Sequence, residues 1–240
     1  MWLALDTATD RASVALGEPG SGSRALEENF TGARRHAAEL LSIIEHLMRR
    51  GSTTLDELSG VIVSDGPGSF TGLRVGASVA KALVHARGLP LWTAPSLLVR
   101  AAGVARVNTS VLAVTNALRG ELYAAIYHFD ADRITSELNP SVCHPEQLVS
   151  GGQRPDIAVG DAPAPALAIL DAWLHRPVIG PPEGSPHASR MLDLIGRPGG
   201  AWLIESVKDW EPVYGRPAEA QARWEKVHGR PLPDSIGSAG

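Results

Sequence analysis

The sequence has one cysteine in 240 residues, Cys143, no excess of positive charge and no long apolar run. Each shortage closes off a class of protein. A lone thiol permits neither an intramolecular disulfide nor a multi-thiolate zinc site, and it suits a reducing compartment. With 22 basic against 26 acidic side chains the net charge is −4. The chain as a whole therefore does not attract phosphate backbones, and contact with nucleic acid must rest on a local patch or on a partner. No stretch approaches the roughly 18 apolar residues of a membrane span. The opening MWLALDTATD lacks a basic region before its short apolar run and meets Asp6 at once, so it does not read as a secretory signal. A cytoplasmic protein with no membrane partner is expected. Internal repeats and low-complexity tracts are also missing. What is present is core material: 44% of residues are hydrophobic and 20% charged, enough for one large domain or two compact lobes.

Trp2 to Leu5 form an apolar run, Arg11 to Leu16 alternate, and Arg24 to Phe30 follow a turn containing Gly17, Pro19, Gly20 and Gly22. This pattern predicts an antiparallel meander of three strands. The period then changes. Ala37, Leu40, Leu41, Ile44, Leu47 and Met48 recur at helical spacing, predicting a helix over 34–50 with Gly51 as its stop. Gly60 to Ser64 shows no alternation and suits a strand buried on both faces. A helix over 73–87, a short strand to Thr93 and a helix from Pro95-Ser96 to about Val104 come next. Three strands followed by alternating helices and strands predict an α/β fold, a mixed sheet with helices on its faces. Asn108 and Thr109 mark a lobe boundary. The expected division is a lobe over 1–106, a smaller and less regular lobe over 107–225, and a flexible tail over 226–240. In the second half, strands are expected over 111–115, 121–129 and 156–160, and helices over 164–175 and 186–195.

Between the buried strand and the next helix stands Gly66-Pro67-Gly68-Ser69-Phe70-Thr71-Gly72. Such a loop aims backbone N–H groups and a helix dipole at one point, a seat for an anion. Its spacing departs from both common phosphate motifs. A P-loop needs four residues between its glycines and then Gly-Lys-Ser/Thr, whereas Gly72 is followed by Leu73 and Arg74. A dinucleotide fingerprint needs glycine where Thr71 stands. A helix N-terminus contributes about 0.3–2 kcal/mol to anion binding, against about 8 kcal/mol for micromolar affinity, so the loop alone does not hold ATP. The other reading is that the glycines permit positive φ and close packing; both stay open. Ser69 and Thr71 do not form a nucleophile elbow and are expected to cap the following helix.

The stretch GPGSFTGLRVG after a buried strand, with Asp-Thr-Ala-Thr closing the first strand, resembles the TsaB (YeaZ) family. Arg35-His36-Ala37 with Leu40-Leu41 is similar to the His-Ser…Leu-Leu start of that family's first helix, and Ala80-Lys81-Ala82-Leu83 to its Ala-Lys-Gly-Leu. Arg119-Gly120-Glu121-Leu122-Tyr123 resembles its Gly-Glu-Val-Tyr, and Glu211-Pro212-Val213-Tyr214-Gly215-Arg216 its Pro-x-Tyr-Leu-Arg. Asn116-Ala117-Leu118 departs from the family's Asp-Ala-Arg, Gly215 from its Leu and Ala37 from its Ser. The resemblance implies a two-lobed actin, Hsp70 and sugar-kinase type fold (ASKHA) with ribonuclease-H-like mixed sheets. It also implies a non-catalytic scaffold that pairs with the catalytic subunit TsaD and acts with TsaE. That assembly places a threonylcarbamoyl group on N6 of adenosine 37 in tRNAs reading codons that begin with A. No cofactor is expected in this chain alone, ATP or ADP belonging to the interface of the complex, and tRNA is reached only through the complex.

The residues agree that the chemistry lies elsewhere. A TsaD-type metal site needs histidines one helical turn apart, and no two of the eight histidines are four residues apart. His-Glu-x-x-His is absent too. An ATP-binding phosphotransferase or ATPase of the actin type is the alternative, but Ala8 stands in the turn after the first strand where glycine would admit a phosphate. A remoter alternative is a ribonuclease-H-like nuclease holding magnesium between Asp6 and Asp65. Cys143, next to His144, is read as a structural thiol. The resemblance implies pairing through the two N-terminal helices, either with a second copy as a homodimer or with TsaD. The expected partner face is His36, Leu40, Ile43 and Leu47 on the first helix and Ala77, Lys81 and Val84 on the second, beside the glycine-rich loop and Arg74.

Overall fold

Two mixed sheets enclose a layer of helix in a computed structural model of the chain, which describes residues 1–31, 36–152 and 154–215. Strands β1 (Trp2–Asp6), β2 (Arg11–Gly17) and β3 (Leu26–Thr31) form the expected antiparallel meander. Helix α1 (His36–Arg50) crosses to β4 (Gly60–Ser64), which runs parallel to β1. Helix α2 (Phe70–Arg87) crosses to β5 (Leu91–Ala94), parallel to β4. After α3 (Ser96–Val104) a second sheet is built from β6 (Thr109–Asn116), β7 (Leu122–Phe129), β8 (Ile134–Cys143) and β9 (Ile157–Asp161), in the order β8-β7-β6-β9. Helices α4 (Pro145–Ser150) and α5 (Ala164–Leu174) pack on it, and α6 (Ala188–Met191) precedes β10 (Trp202–Leu203).

The period of two decides which core each strand serves. Leu3, Leu5, Val61 and Val63 face one way, onto Leu40, Ile44 and Leu47 of α1 and Ala80 and Val84 of α2. Ala4, Ala15, Ile62 and Ala94 face the other way and meet Leu97, Leu98 and Ala101 of α3, whose far side rests on Val111, Ala113 and Ala125 of the second sheet. Alanine on the sheets leaves room for α3 between them. β4 is buried along its whole length, as its uninterrupted apolar run implies. Gly88, at φ 63°, ends α2 by donating its N–H to the Val84 carbonyl. No helix among the described residues is long and apolar enough to cross a membrane.

The structure differs from expectation at one early turn and in the second half. β3 begins at Leu26 because Gly22–Arg24 is a turn of 3-10 helix. β8 went unread because it is an exposed edge strand without clean alternation, and it carries Pro140, which an edge tolerates. The helix expected over 186–195 is reduced to Ala188–Met191 followed by turns. β10 pairs antiparallel with β5, Trp202 opposite Thr93 and Leu203 opposite Trp92. The chain thus returns to the first sheet, and residues beyond 201 do not continue a lobe that began at 107. The expected tail over 226–240, and Arg216, lie outside the described residues.

Candidate functional site

Parallel pairing of β1 with β4, Leu5 opposite Val63, sets the turn Asp6-Thr7-Ala8 against the glycine-rich loop. The approach is backbone on backbone. A Cβ on Gly68 would lie 2.2 Å from the Ala8 carbonyl oxygen, and one on Gly72 2.0 Å from that of Thr7. The Ser69 N–H donates to the Ala8 carbonyl at 2.6 Å, and the Thr7 hydroxyl donates to the Gly72 carbonyl at 2.7 Å. Ser69 caps α2, its Oγ accepting the Gly72 N–H at 3.2 Å. On another side Gly66, at φ 106°, admits the Val213 carbonyl, and the Val213 N–H donates to the Asp65 carbonyl at 2.7 Å. The Ser96 hydroxyl donates to the Pro67 carbonyl at 2.5 Å. The N–H groups of Ser69, Gly72 and Leu73 are all donated within the protein. Of the two readings of its glycines, close packing is the one the geometry supports. Phe70 is partly buried, while Thr71 and Arg74 stand exposed.

The partner face is corrected by the structure. Leu40 and Leu47 are fully buried, because the apolar stripe of α1 is spent on its own sheet. Ala77 and Val84 are only 5% exposed. Lys81 is partly buried by the segment 204–214, which lies along α2: its Nζ pairs with Glu211 at 3.0 Å and stands 5.6 Å from the Trp210 ring centroid. Tyr214 packs on Phe70 at 4.6 Å between ring centroids, with Arg74 5.0 Å over the same Phe70 ring. Ile43 is partly buried, and the His36 side chain lies outside the described residues. The outward faces instead present Leu41, 58% exposed, with Ser42, Glu45 and His46 on α1, and Ser78, Ala82 and His85 on α2. Ile43, Val75, Val79 and Leu83 form a partly buried apolar margin of the same core. Sequence reasoning missed the 204–214 cover because an irregular segment has no period to betray where it packs.

Asp6 and Asp65 are both buried, but their surroundings differ. Burial raises Asp6 to about 6, opposed by the Ala8 N–H at 3.0 Å and by Arg100, while its Oδ2 has no hydrogen-bond partner among the described residues. Burial raises Asp65 to about 7, opposed by a hydrogen bond from Thr93. No three His, Cys, Asp or Glu side chains among the described residues come together as metal ligands, so the residues present do not fit the magnesium of a nuclease or a TsaD-type metal. Burial also pushes the Cys143 thiol up, away from the thiolate a nucleophile needs. Arg100 was missed. It is the single charge in an otherwise apolar helix, it is 3% exposed, and it joins α3 to the second sheet by donating to the Val114 carbonyl at 3.2 Å and to Asp161.

A family model described as TsaD, tRNA N6-adenosine threonylcarbamoyltransferase, matches residues 30–167. The chain is 29% identical over 225 residues to the tRNA threonylcarbamoyladenosine biosynthesis protein TsaB of Escherichia coli, covering 89% of this chain and 94% of that protein. Among solved structures it is similar to YeaZ from Pseudomonas aeruginosa, with a TM-score of 0.66 at 28% identity over 81% of this chain and 90% of that one. A second structure, described as an uncharacterized protein with similarity to peptidase YEAZ from Pseudomonas aeruginosa, gives a TM-score of 0.70 at 26% identity over 90% and 99% of the two chains. The fold is accordingly the actin, Hsp70 and sugar-kinase type expected from the sequence.

Proposed function

The chain belongs to the TsaB (YeaZ) family, related to TsaD, and from that premise we propose that it is a non-catalytic subunit of the machinery that makes threonylcarbamoyladenosine in tRNA. In this reading it binds TsaD and, with TsaE, supports transfer of the threonylcarbamoyl group to N6 of adenosine 37, tRNA being reached through the complex. Alone it is a homodimer. The observation that supports the non-catalytic reading is the packing of the turn after β1 on this loop: the Ser69 N–H donates to the Ala8 carbonyl and the Thr7 hydroxyl to the Gly72 carbonyl, so Ala8 and its backbone fill the side from which a phosphate of an actin-type ATPase would approach. In this reading ATP or ADP sits at the interface between subunits. The ATPase and nuclease alternatives find no comparable support.

The docking surface in this reading is the outward face of α1 and α2, with Leu41 of α1 and the partly buried Val79 and Leu83 of α2 as its apolar residues. An exposed leucine and partly buried aliphatic side chains, with the exposed Glu45 and His46 on the same helix as the leucine, have the composition of a face that a partner buries. The test is co-purification with TsaD from the same organism, with and without ATP, followed by tRNA modification with separated and combined proteins. Modification is expected only from the combination. Turnover of threonylcarbamoyl-adenylate by this chain alone refutes the scaffold reading.

A further inference from the structure

A cavity of about 180 Å³ lies between the end of α3, the end of β7 and the turns that follow α6, and three of its lining side chains are arginines, Arg106, Arg190 and Arg197. Its acid, Asp193, is already engaged. One oxygen accepts the Gly22 N–H at 2.9 Å, and the other pairs with Arg190 at 3.6 Å. The nearby Asp130 carboxylate pairs with His128 at 3.3 Å and Arg133 at 3.8 Å, so only its carbonyl oxygen is offered to Arg197. In a chain of net charge −4, three cations facing one committed acid is a local reversal of sign.

Arg197 is held in place yet incompletely satisfied. A terminal nitrogen donates to the Asp130 carbonyl and the guanidinium lies 5.9 Å from the Phe129 ring centroid, but its Nε is buried with no hydrogen-bond partner among the described residues. A buried charged donor without an acceptor is costly, and native proteins rarely leave one. Arg106 is exposed and has no ion-pair partner among the described residues. Its backbone is fixed by a turn in which its N–H donates to Thr109 Oγ1 at 3.1 Å and that hydroxyl donates to its carbonyl at 2.6 Å. The α3 C-terminus brings about half a negative charge nearby, less than the surplus of the guanidiniums.

We propose that this cavity is a binding site for a phosphate group. Guanidinium forks match tetrahedral oxyanions, and the cavity turns three of them toward one space. The volume is below the roughly 300 Å³ at which pockets for whole organic ligands begin, so the occupant is free phosphate or one phosphodiester of an RNA.

The test is calorimetric titration of the full chain with inorganic phosphate in low-salt buffer, with an unmodified tRNA transcript as a second arm. The wild type is expected to bind phosphate. Arg106→Glu, at a side chain without partners, should weaken it at least tenfold while the fold is kept. Arg197→Lys, which removes the fork and keeps the charge, should weaken it severalfold. Loss of tRNA binding in parallel assigns the phosphate to RNA, and tRNA binding that persists when phosphate binding is lost, or that the wild type alone does not show, assigns it to the free ion; either supports the site. No phosphate-dependent heat in the wild type, or affinities within twofold in both variants, overturns it.

Discussion

Gly72→Ala separates the two readings of the glycine-rich loop. The added methyl would stand 2.0 Å from the Thr7 carbonyl oxygen, and because that atom is backbone, no rotamer change relieves the clash. Overpacking of this kind costs about 1–3 kcal/mol. Separating the turn from α2 also stretches the 2.7 Å bond from the Thr7 hydroxyl to the Gly72 carbonyl, worth about 1 kcal/mol. Alanine's better helix propensity returns at most about 1 kcal/mol. The net loss is about 1–3 kcal/mol, a sizeable part of the roughly 5–15 kcal/mol that holds a native protein. At about 2–4 °C per kcal/mol for a chain of this size, Tm should fall by roughly 5 °C, read by circular dichroism together with the urea midpoint. Gly103→Ala is the control: its methyl would meet only His187 Cδ2 at 3.5 Å, and stability should hold or rise slightly. A loop kept open for a ligand would tolerate the methyl at position 72 in the absence of that ligand. An unchanged midpoint for Gly72→Ala therefore refutes the packing account.

Leu41→Glu combined with Val79→Glu should halve the mass measured by light scattering and abolish co-purification with TsaD; an unchanged mass rejects this face. Glu27 accepts from Ser13 at 2.6 Å and from Ser189 at 3.0 Å, and it pairs with His187 at 3.3 Å. The pair holds His187 above its ordinary 6.5, while the His187, Ser13 and Ser189 bonds hold Glu27 below its ordinary 4.5 against the opposing effect of burial. The histidine's contribution is complete below 6.5 and lost as pH rises through its raised value; the carboxylate's is present above 4.5 and lost as pH falls through its lowered one. The urea-midpoint deficit of His187→Gln should thus be larger at pH 5.5 than at pH 8.5, and a deficit that is flat or grows with pH contradicts the pairing. Asp65, raised to about 7 from 3.8 by burial, weakens the fold as pH climbs through that interval, by up to about 4 kcal/mol at 1.36 kcal/mol per unit. Asp65→Asn should accordingly stabilise the protein more at pH 8 than at pH 5, and equal effects at both values would show that the carboxyl is not held protonated.

The first hundred residues were legible because each element there has a clean period and a chemical stop: alternation in β2, the 3.6 spacing of Leu40, Ile44 and Leu47, the Ser69 cap, and Gly51 and Gly88 as helix ends. The partner face, expected from the family resemblance, shares residues with that stripe. A stripe states which side chains share a side of a helix, but not whether that side meets a sheet or another molecule, and Leu40 and Leu47 went to the sheet. Beyond residue 130 the signals thin. β8 is solvated along much of its length, β10 is two residues long, and Trp210 and Tyr214 pack through an irregular segment. Arg100 carried a readable signal, one charge inside an apolar helix, since such a charge is seldom buried without a partner.

The packing of the glycine-rich loop on the turn after β1 bears on docking as well. Binding is weakened by about 0.5–1.5 kcal/mol for each flexible side chain it must immobilise, so a helical face is an effective dock only when the helix is already fixed. α2 is fixed at its start by the Ser69 cap and by Thr7 bonding to Gly72, and along its flank by Glu211 on Lys81 and Tyr214 on Phe70. The flank contacts can be broken without touching the outward residues. Tyr214→Ala removes the aromatic contact on Phe70 at the start of α2, yet leaves Leu41 and Val79 unaltered. If the face is preorganised as argued, this variant should bind TsaD more weakly by roughly one to two immobilised side chains, about 1–2 kcal/mol or five- to thirtyfold in Kd, with the slowing visible in complex formation rather than in tRNA turnover at saturating TsaD. Equal affinity in calorimetry would mean that the 204–214 segment only covers α2 and does not hold it for a partner.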